Sequence, residues 1–277
     1  MPSRISYNDP VKNALVFQFD RMRINSRKVL YGPGAQPLHE LRVAALRAGF
    51  ALHFFKKFIE ADHINKLRNK LKRSRRIMGE SRDIGIFYLR LEKDFKSLKV
   101  PVSEQLKIKT WVQARKTKAR RNLTGMLSSA WYKKILNDLK QVSAGRNKKK
   151  ICPEKTLNNA FRSMDWQRRL SKAKDFHQFR IAIKDLRYAC EFLAVFFDKE
   201  KMREVLSRII NAQDVLGCCQ DAENAVKILS QLKQTRLRDR LINIEQADLY
   251  RARKKFKKLK LRSSTYFSKN SPPYHLV

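Results

Sequence analysis

One stretch of this chain occurs twice in the same register, and it carries cations both times. Leu38-His39-Glu40-Leu41-Arg42-Val43-Ala44 returns as Phe176-His177-Gln178-Phe179-Arg180-Ile181-Ala182. Met78-Gly79-Glu80-Ser81-Arg82-Asp83 returns as Leu216-Gly217-Cys218-Cys219-Gln220-Asp221, and Gln113-Ala114-Arg115-Lys116 as Arg251-Ala252-Arg253-Lys254. His39 and His177, Gly79 and Gly217, and Arg115 and Arg253 are each 138 residues apart. Three blocks in one register predict a tandem duplication, with two related basic surfaces facing one another.

The charge narrows what such a chain binds. It has 63 Lys and Arg against 25 Asp and Glu, a formal net charge of +38. Such a molecule repels itself when folded, so a polyanion is the expected ligand. Nucleic acid, an anionic membrane surface and inorganic polyphosphate all qualify on charge alone. Apolar residues make up 43% of the chain, enough for a core rather than charge-driven disorder. Glycine and proline number only eight each, which favours an all-α fold. Cys152, Cys190, Cys218 and Cys219 form no C-x-x-C pair, the usage of a reducing cytoplasm. No apolar run is long enough to span a membrane, and the N-terminus shows no apolar signal core.

The spacing predicts helices over 10–30, from Pro37 to about Glu60, 64–79, 82–98, 104–123 and 127–142. The second repeat predicts helices over 157–170, 173–197, 201–216, 221–235 and 238–261. Tyr31–Pro37 and Val100–Ser103 read as breaks. Gly79 and Gly217 read as tight turns or close helix approaches. Asp83 and Asp221 then fall in the first turns of the helices that follow, where a carboxylate favours the dipole. The expected organisation is one domain over 8–268, with repeats at about 8–142 and 157–265. Residues 143–156 form the linker and 266–277 a frayed tail.

Wrapping the second motif at about 100° per residue separates two faces. Phe179, Ile183, Leu186, Cys190, Leu193 and Phe197 make an apolar stripe. His177, Arg180, Lys184 and Arg187 form a flanking ladder, one cation per turn, of one sign until Glu191. Such spacing suits a ligand with repeating negative charge. The first copy keeps His39 and Arg42, but Leu46 and Gly49 replace the last two cations, with Arg47 displaced to the ladder's edge. Along this helix the first repeat is therefore expected to be the weaker surface.

His177, Arg180, Lys184 and Arg187 resemble the His-x-x-Arg-x-x-x-Lys/Arg-x-x-Arg motif of the CHAD family, the conserved-histidine α-helical domains. Leu216-Gly217 with Asp221 resembles the family's Leu-Gly-x-x-x-Asp segment. The likeness runs over about residues 10–265. It implies two antiparallel four-helix bundles related by a pseudo-two-fold, with basic helix faces lining a groove or channel. It also implies binding of inorganic polyphosphate, association with polyphosphate granules in the cytoplasm, and no catalysis or cofactor. No Glu-x-Glu-x-Lys motif of a fused triphosphate-hydrolysing domain is found, so a stand-alone module is expected. The candidate contacts are His39, Arg42, Arg47, Arg68, Lys72, Arg75, Arg76, Arg82, Arg115 and Lys118 in the first repeat. In the second they are His177, Arg180, Lys184, Arg187, Arg253 and Lys257.

Other chemistries fit less well. Each repeat offers one motif histidine among cations, which repel a metal ion, so no metal is expected. No nucleotide-binding loop, magnesium-binding carboxylate cluster or Ser-His-Asp pattern appears. A single-stranded RNA or DNA binder is the rival reading. Such proteins expose aromatic stacking platforms, whereas the phenylalanines here mostly fall at core spacing. A regulatory partner of a polyphosphate-metabolising enzyme is a further alternative.

Overall fold

The computed structural model describes residues 8–32, 34–54, 56, 64–142, 153, 157, 160–161 and 173–259. Side chains are described for these residues except 8–13, 173–175 and 177. The chain is all-helical, and the described residues include no strand. It divides into two compact units, residues 1–150 and 151–277.

In the first unit α1 (Asn8–Tyr31), α2 (Ala35–Phe54), α3 (Ile64–Ser97), α4 (Val102–Ser128) and α5 (Ala130–Gln141) follow one another. Each packs on the next, and α5 closes back onto α1 and α3. Leu15, Met22 and Val29 of α1 are buried, as are Leu41 and Leu52 of α2. Four buried alanines, Ala44, Ala45, Ala48 and Ala51, let neighbouring backbones approach α2 closely. An Arg21–Glu40 ion pair joins α1 to α2, and Arg120 of α4 donates to the Val29 carbonyl near the end of α1. Lys70 of α3 meets Asp138 of α5 at 2.8 Å. Burial works against ionising that carboxyl, but hydrogen bonds from Lys70 and Lys134 hold it below its usual range.

The two predicted helices 64–79 and 82–98 are one, α3, so Gly79 is not a turn and Asp83 is not in a first helical turn. The buried residues explain the difference. Ile64, Leu67, Leu71, Ser74 and Met78 form one stripe, and Ile84, Phe87, Leu91 and Phe95 another. At about 100° per residue the second stripe lies roughly 135° around the helix from the first. The apolar phase therefore breaks near Gly79 while the backbone continues, because α3 packs on α2 and also on α4 and α5. The helix predicted to reach Glu60 is described as α2 to Phe54, with a turn at Lys56, and its expected end lies outside the described residues; the break expected near 124–126 falls at Ser129. Ser129 is extended, and its hydroxyl accepts from the Tyr132 amide at 3.2 Å, which starts α5.

Lys99 ends α3 with a φ of 50°. Val100 N–H donates to the Phe95 carbonyl at 3.1 Å and Lys99 N–H to Lys96 at 3.2 Å, a Schellman pattern. Glycine usually fills that left-handed position, since a Cβ there is strained. We expect Lys99→Gly to stabilise the protein by about 1 kcal/mol, read from the denaturation midpoint. A loss of stability would contradict this cap.

In the second unit the main elements are α6 (Ala173–Leu193), a short 3₁₀ turn (Ala194–Phe196), α7 (Lys199–Leu229) and α8 (Arg236–Lys258). The predicted helices 201–216 and 221–235 are likewise one, α7, so Gly217 and Asp221 also lie in mid-helix. The buried face of α7 rotates along its length from Ile209 to Leu229, the same cause as in α3. Asp198 and Thr235 start α7 and α8, their side chains accepting from Lys201 N–H and Arg238 N–H. Phe179, Ile183, Leu186, Cys190, Leu193 and Phe197 are all buried, the stripe expected from their spacing. Linker residues 143–152 and most of 154–172 lie outside the described residues, as does the tail beyond Leu259.

Candidate functional site

In the second unit the apolar stripe of α6 fixes where its cations point. With that stripe buried, Arg180, Lys184 and Arg187 lie half-buried along the flank. Arg180 donates to Gln220 Oε1 at 3.3 Å and Arg187 to Gln213 Oε1 at 3.3 Å, both on α7. Seven residues separate the arginines and seven separate the glutamines, so the pairs are two rungs of an antiparallel seam. Gln220 in turn donates to Asn224 at 3.1 Å. An amide oxygen orients a guanidinium without itself adding a negative charge. Arg187 also meets Glu191 at 2.8 Å, which offsets part of its charge.

Arg253 of α8 is committed differently. It pairs with Glu223 of α7 at 2.8 Å and sits 5.3 Å from the centroid of Phe176. Phe176 and Phe179 in turn pack edge-on against Phe256. Arg253 therefore ties α8 to α6 and α7. Lys257 is exposed on α8. The His177 side chain lies outside the described residues.

In the first unit the candidates gather mainly on α3. Arg68, Lys72, Arg75, Gly79 and Arg82 fall within about 80° of one another around the helix. Lys72 is exposed, and the three arginines are half-buried. Arg42 of α2 lies over this line. A Cβ at Gly79 would sit 3.8 Å from its Nε and 3.9 Å from a terminal nitrogen. That is ordinary contact with the end of a flexible side chain, so neither predicted role, tight turn or close approach, requires a glycine here. No comparable neighbour lies over Gly217, where a Cβ would have nothing within 4 Å.

The other first-repeat candidates are less concentrated. Arg82 pairs with the adjacent Asp83, and Arg76, about 80° off the line from Arg68, with Glu80 at 3.6 Å. His39 is exposed and Arg47 half-buried on α2. Arg115 stacks over Trp111 at 4.2 Å on α4, and Lys118 is exposed on the same helix. His53 lies near the end of α2. Burial, then Arg68 and Lys56, hold its imidazole below the usual range.

Gln213 and Gln220 carry no charge and so fall outside the sequence-derived set. Their signal is available in the helix spacing, since both lie on one face of α7. Among the described residues no group of three or more His, Cys, Asp or Glu is placed to hold a metal ion. No described helix is long and apolar enough to cross a membrane.

These features define an all-helical protein with rows of cations laid along helix seams. The family model for the CHAD domain matches residues 13–230, and the chain belongs to that family. Two solved structures share its fold. PptA from Streptomyces chartreusis is 16% identical with a TM-score of 0.73, over 91% of this chain and 98% of that one. The CHAD domain from the plant Ricinus communis is 17% identical with a TM-score of 0.73, over 95% of each chain. No curated protein sequence matches this one.

Proposed function

We propose that this protein is a non-enzymatic receptor for inorganic polyphosphate, binding it through cationic helix seams built twice by duplication. Family membership suggests the ligand, and the charge of +38 makes a polyanion the natural one. The observation that carries the reading is an exchange of charge between helices. In the second repeat the motif helix supplies Arg180, Lys184 and Arg187, while α7 carries Leu206, Ile210, Gln213, Gly217 and Gln220 on the matching line. In the first repeat the motif helix α2 has Arg42, Leu46 and Gly49. There α3 supplies Arg68, Lys72, Arg75 and Arg82, at the positions 138 residues before Leu206, Ile210, Gln213 and Gln220.

Two dense rows of cations across one seam would repel each other, and a single row avoids that repulsion. Each repeat thus has one cationic row, on opposite members of its helix pair. A seam basic by accident has no reason to compensate so. Guanidinium groups would take phosphate oxygens in pairs and lysines as point charges.

The reading is tested by incubating the protein with long-chain polyphosphate, with magnesium or with chelator. Binding that ignores the chelator, and a polymer of unchanged length, are expected. Shortening of the polymer in magnesium would make the protein an enzyme and overturn the reading. Granule association follows from polymer binding, and a diffuse distribution in phosphate-rich cells would contradict that part of it.

A further inference from the structure

The face of α1 turned away from its own core has an unusual composition. Leu15, Met22 and Val29 bury one side of the helix. On the opposite side, where polar residues belong, Phe17, Ile24 and Tyr31 are 54%, 44% and 88% exposed. They are spaced by seven residues each and fall within about 40° around the helix. Arg21 and Lys28 border this line on one side, Arg23 and Arg27 on the other. Arg21 and Arg23 are paired, with Glu40 and Asp20. Arg27 and Lys28 are exposed and have no ion-pair partner among the described residues.

We propose that this face of α1 is a docking seam for an acidic amphipathic helix of another protein. A single narrow apolar line is what one helix can cover; Asp20 and Arg27 stand three residues on from Phe17 and Ile24, so the contact is one apolar knob per two turns and not a full two-position heptad seam. It is too narrow for the membrane interface, where an apolar face of about 100° or more is usual. A second copy of this chain would bring cation against cation on both borders, in a molecule already at +38. Acidic residues flanking a partner's apolar seam would meet Arg27 and Lys28 instead. The seam shares no residue with the candidate polyphosphate contacts, so substitutions in it leave those side chains in place.

The probe is a synthetic peptide of about three heptads, with leucines in its seam and glutamates on both borders. A scrambled peptide of the same composition controls for the protein's overall charge. The amphipathic peptide is expected to bind about tenfold or more tightly than the scrambled one. A Phe17→Ser, Ile24→Ser, Tyr31→Ser variant should erase that difference and keep its polyphosphate affinity, which also shows that it is folded. Equal binding of the two peptides would overturn the proposal, as would a preference that survives the variant. Binding to phosphatidylglycerol vesicles that the variant abolishes would assign the seam to a membrane instead. A wild-type dimer in sedimentation that the variant dissolves would assign it to self-association.

Discussion

An Arg180→Glu, Lys184→Glu, Arg187→Glu protein is expected to bind long-chain polyphosphate on the order of a hundredfold to a thousandfold more weakly than wild type. Each charge-assisted hydrogen bond contributes about 1.5 kcal/mol at the low end of its range, the end suited to half-exposed side chains. Removing three of them, with Arg187 discounted for its pairing with Glu191, costs about 3 to 4 kcal/mol. Arg187 should contribute least, because Glu191 already offsets part of its charge. The substitutions lie on the flank of α6, away from its buried stripe, so helicity by circular dichroism should be retained. Unchanged affinity in a folded triple variant would remove these residues from the site.

Reversal on the other row, Arg68→Glu, Lys72→Glu, Arg75→Glu, is expected to cost a similar amount. This is the sharper of the two predictions. Judged by motif helices alone, the first repeat has Leu46 and Gly49 in place of Lys184 and Arg187 and should bind weakly. Judged by seams, α3 makes good the difference. A weakening of less than about threefold would mean the first repeat is a weak partner and the exchange of charge is incidental. The reversal should also lower the salt dependence, because fewer counterions are released when fewer phosphates are neutralised. Arg82 is left out of this variant because Asp83 already holds it, and its reversal would disturb that pair.

Much of the fold and of the candidate site is legible in the residues, and the failures share a cause. The α6 stripe and ladder can be read directly because one helix with one main partner keeps a single apolar phase. The long helices α3 and α7 change their buried face along their length, so their apolar phase shifts while the backbone continues. Gly79 and Gly217 stand near those shifts and resemble breaks. Lys99 hides a helix end because it adopts a conformation that glycine usually marks. Gln213 and Gln220 escape a search for a polyanion site because such a search follows charge, whereas orientation of an arginine is often the work of a neutral neighbour. The 138-residue offset, carried onto the next helix, discloses the exchange of cationic rows without any coordinates.

The central claim is that arranged rows of cations, and not net charge, select the ligand. The most direct measurement is a competition titration of the wild-type protein between long-chain polyphosphate and single-stranded RNA at matched charge, at two salt concentrations. A preference for polyphosphate of about tenfold or more that persists at the higher salt is the predicted result. Equal affinity for both polymers, falling together as salt rises, would show that bulk charge alone governs binding and would contradict the account.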